Sequence, residues 1–289
     1  MNAVLKLAIP VLVALAFGPS QVLATPVLGA DLKTFALLGA TAVTNVPTST
    51  IFGNVGTSPG SSITGFGPTA VGTPTVDSTG QVTGGLLHAA TTQAAQAQLD
   101  LDLAILTLNN QLLFPTTLSI GPDLTGLTLA PGNYDVGAGI LSGALILDGG
   151  SNPNAVWVFR FSSSFTTEEG SSVTVVDVGS GANVGVYWNV FSLATLDGNE
   201  FLGNVLAGTS ITSNGALKND CGRLLAATGN VTLSGDTVSI GCAGFAGTGG
   251  FDQGPEAGPS GVPEPGTIAL FGVALAGLFV ARKKVLASA

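Results

Sequence analysis

The sequence predicts a mainly β protein, a β-solenoid of short stacked strands with one long α-helix beside it. Short apolar runs bounded by turn residues fill the chain after residue 140, which is typical of strands. Similar segments recur at steps of about 17 to 20 residues, a length that suits one coil of a solenoid. A single segment with helical period interrupts this pattern.

The strand-like runs are residues 145–147, 156–159, 173–176, 184–190 and 231–233. The recurring segments are residues 186–188, 203–207 and 222–226. A β-sandwich is the rival fold, since it also uses short strands. It favours strands every 8 to 12 residues or so, and it gives no place for a long helix.

The helical segment has apolar residues at every third or fourth position between Leu87 and Leu112. Two glycines precede it and Pro115 follows it. The period predicts a helix from about His88 to Leu113, a rod of about 39 Å at 1.5 Å per residue. Such a rod suits the side of a solenoid, where it covers an apolar face.

The N-terminus has the pattern of a secretory signal peptide. Lys6 precedes an apolar run over residues 7–17, and small residues lead to Ala24. We therefore predict a signal peptide over residues 1–24 and an extracytoplasmic mature chain. The alternative is an uncleaved anchor helix, for which the run is short.

The C-terminus combines Pro263, Glu264 and Pro265 with an apolar stretch, residues 267–281, and a basic end, residues 282–284. This resembles the PEP-CTERM sorting signal. The resemblance implies that an exosortase-type enzyme cleaves near the motif and passes the protein to the cell surface, often alongside exopolysaccharide. Residues 262–289 are thus predicted to hold a short transmembrane helix and a basic tail. An ordinary C-terminal anchor is the alternative.

Between the two ends, residues 25–243 are predicted to form one solenoid domain, followed by a flexible Gly/Pro linker over residues 244–261. Cys221 and Cys242 lie about one coil apart, so stacked coils bring them within disulfide range. We expect that bond in an oxidising compartment, with two free thiols as the alternative.

The composition excludes several functions. Only 9% of the residues are charged and the net charge is −9, so no basic patch is available for nucleic acid. One histidine and two cysteines argue against a metal site, and no cofactor is expected. The chain lacks a Gly-x-Ser-x-Gly elbow, so it is not predicted to be an enzyme. A polysaccharide lyase or hydrolase on a β-helix is a distant alternative.

Most of the predicted domain resembles the microbial ice-binding-like (antifreeze) family. The segments that carry the resemblance are residues 35–39, 41–45, 53–60, 88–90, 94–98, 127–134, 147–149, 153–159, 186–188, 203–207 and 222–226. The resemblance implies a right-handed, discontinuous β-solenoid of roughly triangular section. It also implies that the helix packs along one side and that an N-terminal segment completes coils near the C-terminal part.

An ice-binding face needs regularly spaced methyl and hydroxyl groups, and threonine carries both on a stiff side chain. The candidates on late strand-like runs are Thr209, Thr212, Thr232 and Thr237, while Thr41 and Thr44 form a Thr-Ala-x-Thr pattern. Any one of them is also simply a good strand residue. The expected partner is an ice crystal surface. The alternative is a structural or adhesive envelope protein that binds exopolysaccharide without ice affinity.

Overall fold

The computed structural model describes residues 27–46, 48–110, 117–179, 181, 183–198, 200–242 and 251–252. The predicted signal peptide, the sorting motif Pro263, Glu264 and Pro265, and the apolar stretch after it lie outside these residues. Within the described ranges, no helix combines the length and apolar character needed to cross a bilayer.

The described residues form one α-helix, α1 (Thr92–Asn109), a short 3-10 helix (Leu32–Thr34) and a series of strands. In chain order the strands are β1 (Phe35–Gly39), β2 (Ala42–Asn45), β3 (Thr50–Phe52), β4 (Asn54–Thr57), β5 (Ser62–Thr64), β6 (Val82–Thr83), β7 (Leu87–Ala89), β8 (Thr117–Ser119), β9 (Thr128–Leu129), β10 (Gly132–Val136), β11 (Gly139–Leu141), β12 (Ala144–Asp148), β13 (Val156–Phe161), β14 (Phe165–Thr167), β15 (Ser172–Val176), β16 (Gly185–Val190), β17 (Ala194–Leu196), β18 (Phe201–Ala207), β19 (Ile211–Ser213), β20 (Lys218–Ala226), β21 (Val231–Leu233) and β22 (Thr237–Ser239). The five runs predicted as strands coincide with β12, β13, β15, β16 and β21.

The described strands pair in parallel and form three sheets. The first sheet has twelve strands in the order β6-β3-β22-β20-β18-β16-β13-β10-β8, with β1 pairing β20 and β4, and β4 also pairing β7. The second sheet has seven strands in the order β11-β14-β17-β19-β21-β2-β5, and the third has the order β15-β12-β9. A bridge between Ser172 and Glu200 connects the third sheet with the start of β18.

Successive coils stack with the step that the sequence predicts. Trp188 of β16 lies opposite Val205 of β18, which lies opposite Leu224 of β20. The N-terminal strands then join the C-terminal end of the stack, because Leu37 of β1 lies opposite Leu224. This is the discontinuous coil order that the family resemblance implies. The right-handed sense of the coil stays a prediction.

The helix begins at Thr92, later than predicted, and this part of the prediction is wrong; its predicted last residues, 111–113, lie outside the described residues. His88 lies in β7, opposite Gly56 of β4, so ladder hydrogen bonds hold it in a strand. Ala90 has φ of +50°, which turns the chain, and the Thr91 hydroxyl then caps the helix by accepting from the amide of Ala94 at 3.1 Å. Helix α1 is therefore about 27 Å long at 1.5 Å per residue.

One face of α1 is buried against the outer surface of the first sheet. Its buried residues Ala94, Ala97, Leu101, Ala104 and Leu108 follow the helical period of the sequence. They pack in one cluster with the following sheet residues: Leu38, Val158, Tyr187, Leu206 and Leu225. The helix thus removes an otherwise exposed apolar stripe of the first sheet from water.

Two residues of the predicted flexible linker are buried, so the domain extends beyond residue 243. Phe251 packs in the main core and its backbone carbonyl accepts hydrogen bonds from the amide of Val186 and from Asn204 Nδ2, both at 3.0 Å. Asp252 is 4% exposed and forms a bridge with Gly185. The compact unit that contains the solenoid spans residues 24–256. The reason is that Phe251 is a large apolar side chain in a stretch composed mainly of glycine and polar residues.

Cys221 and Cys242 are joined by a disulfide, with their Cα atoms 4.5 Å apart. The bond connects β20 with the segment that follows β22, one coil further on. It therefore fastens the end of the C-terminal coil.

Candidate functional site

The second sheet exposes one residue from nearly every strand at its centre. In β17, for example, Ala194 and Leu196 are fully buried while Thr195 is partly exposed. This is the alternation expected of a strand with one face on the core. The outward positions that lie opposite one another, from one end of the sheet to the other, are Ile140, Thr166, Thr195, Thr212, Thr232, Thr44 and Thr64.

These six threonines, here called the threonine column, are aligned by the strand register. Thr195 lies opposite Thr166 on one side and opposite Thr212 on the other. Strands in a sheet are about 4.8 Å apart, so the column is about 24 Å long. The Thr64 hydroxyl donates to the Thr44 hydroxyl at 3.3 Å, which shows how closely neighbouring side chains approach.

The structure separates the threonines that the sequence singles out. Thr44, Thr212 and Thr232 belong to the column. Thr41 and Thr209 are exposed at the corner where the chain enters the second sheet; the amide of Thr41 donates to the carbonyl of Gly229, and the amide of Gly229 donates to that of Thr209. Thr237 lies on β22 in the first sheet, opposite Thr50, and so cannot share a face with Thr212.

Thr166, Thr195 and Thr64 were not singled out by the sequence reasoning. Each belongs to a strand of three residues. The signal that is present is a threonine with a buried apolar neighbour next to it, such as Phe165 before Thr166 or Ala194 before Thr195. That signal is weak in a chain so rich in threonine.

Rigid groups support the column from beneath and beside. The rings of Phe165 and Trp188 stack at a centroid distance of 5.3 Å, and Trp188 stacks on Phe159 at 4.4 Å. Beside the column, Asn230 Nδ2 donates to the Thr232 hydroxyl at 2.8 Å. These contacts restrict motion of the strands that carry the threonines.

The buried residue Asp236 connects the turns that follow strands β2, β19 and β21 of the second sheet. Asp236 accepts from the Ser213 hydroxyl at 2.7 Å and from the amides of Leu217 and Ser234 at 3.0 and 2.9 Å, and its own amide donates to the Ser49 hydroxyl at 2.9 Å. Burial raises the pKa of Asp236. The network joins strands from both ends of the chain.

The second sheet also differs from the rest of the surface in charge, since its described strands contain no charged residue. The face formed by the third sheet and β22 is less regular. There Lys218 and Asp220 form an ion pair at 3.2 Å and Phe52 is exposed. The described residues also contain no group of His, Cys, Asp or Glu side chains able to hold a metal ion.

The sequence profile of the ice-binding-like family matches residues 37–239 of the chain. The chain belongs to the ice-binding-like family. The match includes every strand of the second sheet and therefore the whole threonine column. The profile of the PEP-CTERM protein-sorting motif matches residues 261–284, as the C-terminal pattern predicts.

Other members of the ice-binding-like family are similar in sequence and in fold. An ice-binding protein of Nostoc sp. (strain HG1) is 40% identical over 210 residues, which cover 72% of each chain. The ice-binding protein of the Antarctic ascomycete Antarctomyces psychrotrophicus has a TM-score of 0.64 at 30% identity, over 75% of this chain and 98% of that one. The structure of an ice-binding protein from an Antarctic biological consortium also has a TM-score of 0.64 at 28% identity, over 77% of this chain and 95% of that one.

Proposed function

We propose that this protein is an ice-binding protein, secreted and sorted to the cell surface, that adsorbs to ice through the threonine column. The observation that carries the proposal is the register of six threonines on one sheet without charged residues. The names of the similar proteins support it.

The chemistry of the column suits adsorption to a crystal of water. Ice presents fixed positions, so a surface that binds it must repeat its groups at fixed intervals. Threonine is restricted at χ1 and presents a methyl group and a hydroxyl group, and the sheet repeats these groups about every 4.8 Å. Charged side chains would hold liquid-like hydration water, and the strands of this sheet lack them.

The PEP-CTERM motif supports the surface location, with processing by an exosortase-type enzyme. The finer part of the proposal is that the apolar stretch anchors the chain only transiently in the inner membrane. Mass spectrometry of protein extracted from the cell surface tests this part, because processing removes residues 282–284.

The ice-binding proposal is tested by Thr195→Tyr, which places a bulky ring in the middle of the column without touching the core. We expect loss of thermal hysteresis and of ice-crystal shaping with an unchanged melting temperature. The matched control is Thr174→Tyr, an exposed threonine on β15 of the third sheet, which should leave both properties intact. If the unmodified protein shows neither activity at high micromolar concentration, the structural or adhesive alternative is favoured.

A further inference from the structure

A cavity of about 780 Å³ lies between the C-terminal half of α1 and the outer surface of the first sheet. Binding pockets for small molecules are usually about 300 to 1,000 Å³, so its size is suitable for a ligand. We call it the helix–sheet cleft. Asp102, Ile105 and Asn109 of the helix form one wall, and residues of β8, β10, β13 and β16 form the other.

The sheet wall is a row of polar side chains in register. Ser119, Asp135, Arg160 and Asn189 occupy the same position on four successive strands, which spans about 14 Å. The next positions in this row are Leu206 and Leu225, which are buried under the helix. The row therefore changes from apolar to polar where the cleft begins.

Arg160 is held in place from two sides but is not fully satisfied. Its Nε donates to Asp135 and its Nη2 donates to the Thr117 hydroxyl, both at 2.7 Å. The residue is 8% exposed, and its Nη1 is a buried atom without a hydrogen-bond partner. Among the described residues of the cleft wall, this is the only such side-chain atom. A buried donor without an acceptor costs free energy, so an acceptor from a ligand would stabilise the protein.

The rim of the cleft carries an exposed aromatic ring. Phe191, directly after β16, lines the cleft and is 75% exposed. Carboxylates are available on both walls: the Asp102 carboxylate accepts no hydrogen bond, and only one carboxylate oxygen of Asp135 is used, by Arg160. Across the cleft, Asn189 Nδ2 donates to Asn109 Oδ1 at 2.8 Å and links the two walls.

We propose that the helix–sheet cleft is a binding site for a neutral saccharide. A pyranose ring has an apolar C–H face that stacks on an aromatic ring such as Phe191, and its hydroxyls both donate and accept hydrogen bonds. Carboxylates, amides and a guanidinium offer both kinds of partner. Two carboxylates face a single guanidinium, and the described lining contains no lysine, so an anionic glycan is disfavoured. This site does not depend on ice affinity.

The test is calorimetric titration of the full chain with cellotetraose, laminaritetraose, maltotetraose and mannotetraose, with polygalacturonate as the anionic comparison. The protein is kept in a detergent whose headgroup is not a sugar. We expect at least one neutral oligosaccharide to bind. Phe191→Ala and Asp135→Asn should each weaken it by about tenfold or more, equivalent to about 1.4 kcal/mol.

The matched control is Phe52→Ala, which removes another exposed phenylalanine on β3 and should not change the affinity. The melting temperature of each variant shows whether the fold is intact. The proposal is overturned if no neutral oligosaccharide binds at millimolar concentration, if polygalacturonate binds more tightly, or if Phe52→Ala weakens binding as much as Phe191→Ala.

Discussion

Thr44 and Thr232 lie directly opposite each other on β2 and β21, although they come from opposite ends of the domain sequence. The pairing places an N-terminal strand in the second sheet after the last C-terminal one. Without β2 and β5 the threonine column would end at Thr232. The strands after β21 in the column are therefore supplied by the start of the chain.

Replacing the threonines predicted from the sequence should affect ice binding only when the threonine lies in the column. We expect Thr44→Tyr to abolish ice shaping, because Thr44 is inside the column and pairs with both Thr232 and Thr64. Thr237→Tyr should have no effect, because Thr237 is on another sheet. Thermal hysteresis of the two variants at equal concentration checks this; a larger loss for Thr237→Tyr would place the ice-binding surface elsewhere.

Phe251→Ala should lower the free energy of unfolding by about 3 to 5 kcal/mol, the usual cost of removing a phenylalanine from a packed core. Phe251 is 3% exposed. Phe191→Ala is the matched control, since its ring is mostly exposed and its loss should cost less than about 0.5 kcal/mol. Chemical denaturation measures both. Equal effects would mean that Phe251 does not contribute to the core in solution.

Removal of the disulfide should destabilise the domain without changing its surface. The bond closes a loop of 21 residues, and the chain-entropy argument gives about 3 kcal/mol for a loop of this length. We expect a Cys221→Ser, Cys242→Ser double variant to lose about this amount, and the unmodified protein to lose as much when it is reduced. Thiol titration of the unreduced secreted protein should find no free thiol. Two free thiols under oxidising export would contradict the pairing.

The contribution of His88 to stability should decrease as the pH falls through the usual pKa of histidine. Burial lowers the pKa of His88 below 6.5, and its Nε2 is buried without a hydrogen bond. Below pH 6.5 the unfolded chain therefore binds a proton that the folded state binds less readily, which favours unfolding. The His88 ring packs against the Phe35 ring at a centroid distance of 5.1 Å, so protonation would place a positive charge beside a buried apolar side chain.

The measurement is the free energy of unfolding at pH 7.5 and pH 5.5 for the unmodified protein and for His88→Gln. Relative to the unmodified protein, the free energy of unfolding of His88→Gln should be higher at pH 5.5 than at pH 7.5. The same difference between the two proteins at both pH values would contradict a depressed pKa for His88.

Much of the coil structure is readable from the sequence. The step of about one coil between residues 186–188, 203–207 and 222–226 predicts the pairing of Trp188, Val205 and Leu224, because stacked coils repeat the same core positions. The helical period predicts the buried stripe of α1, although it does not show that His88 belongs to a strand. The sequence pattern also does not predict that Phe251 is buried, since a single apolar residue between glycines and Asp252 shows no periodicity.

The sequence by itself determined that this chain forms short stacked strands with one helix, and that threonine is abundant on them. Local spacing decides these features, because alternation and helical period depend only on neighbouring residues. Only the tertiary structure decided that Thr166, Thr195, Thr212, Thr232, Thr44 and Thr64 share one face. The coils differ in length, and the last strands of the second sheet come from the N-terminus. The alignment therefore depends on hydrogen-bond register between distant segments.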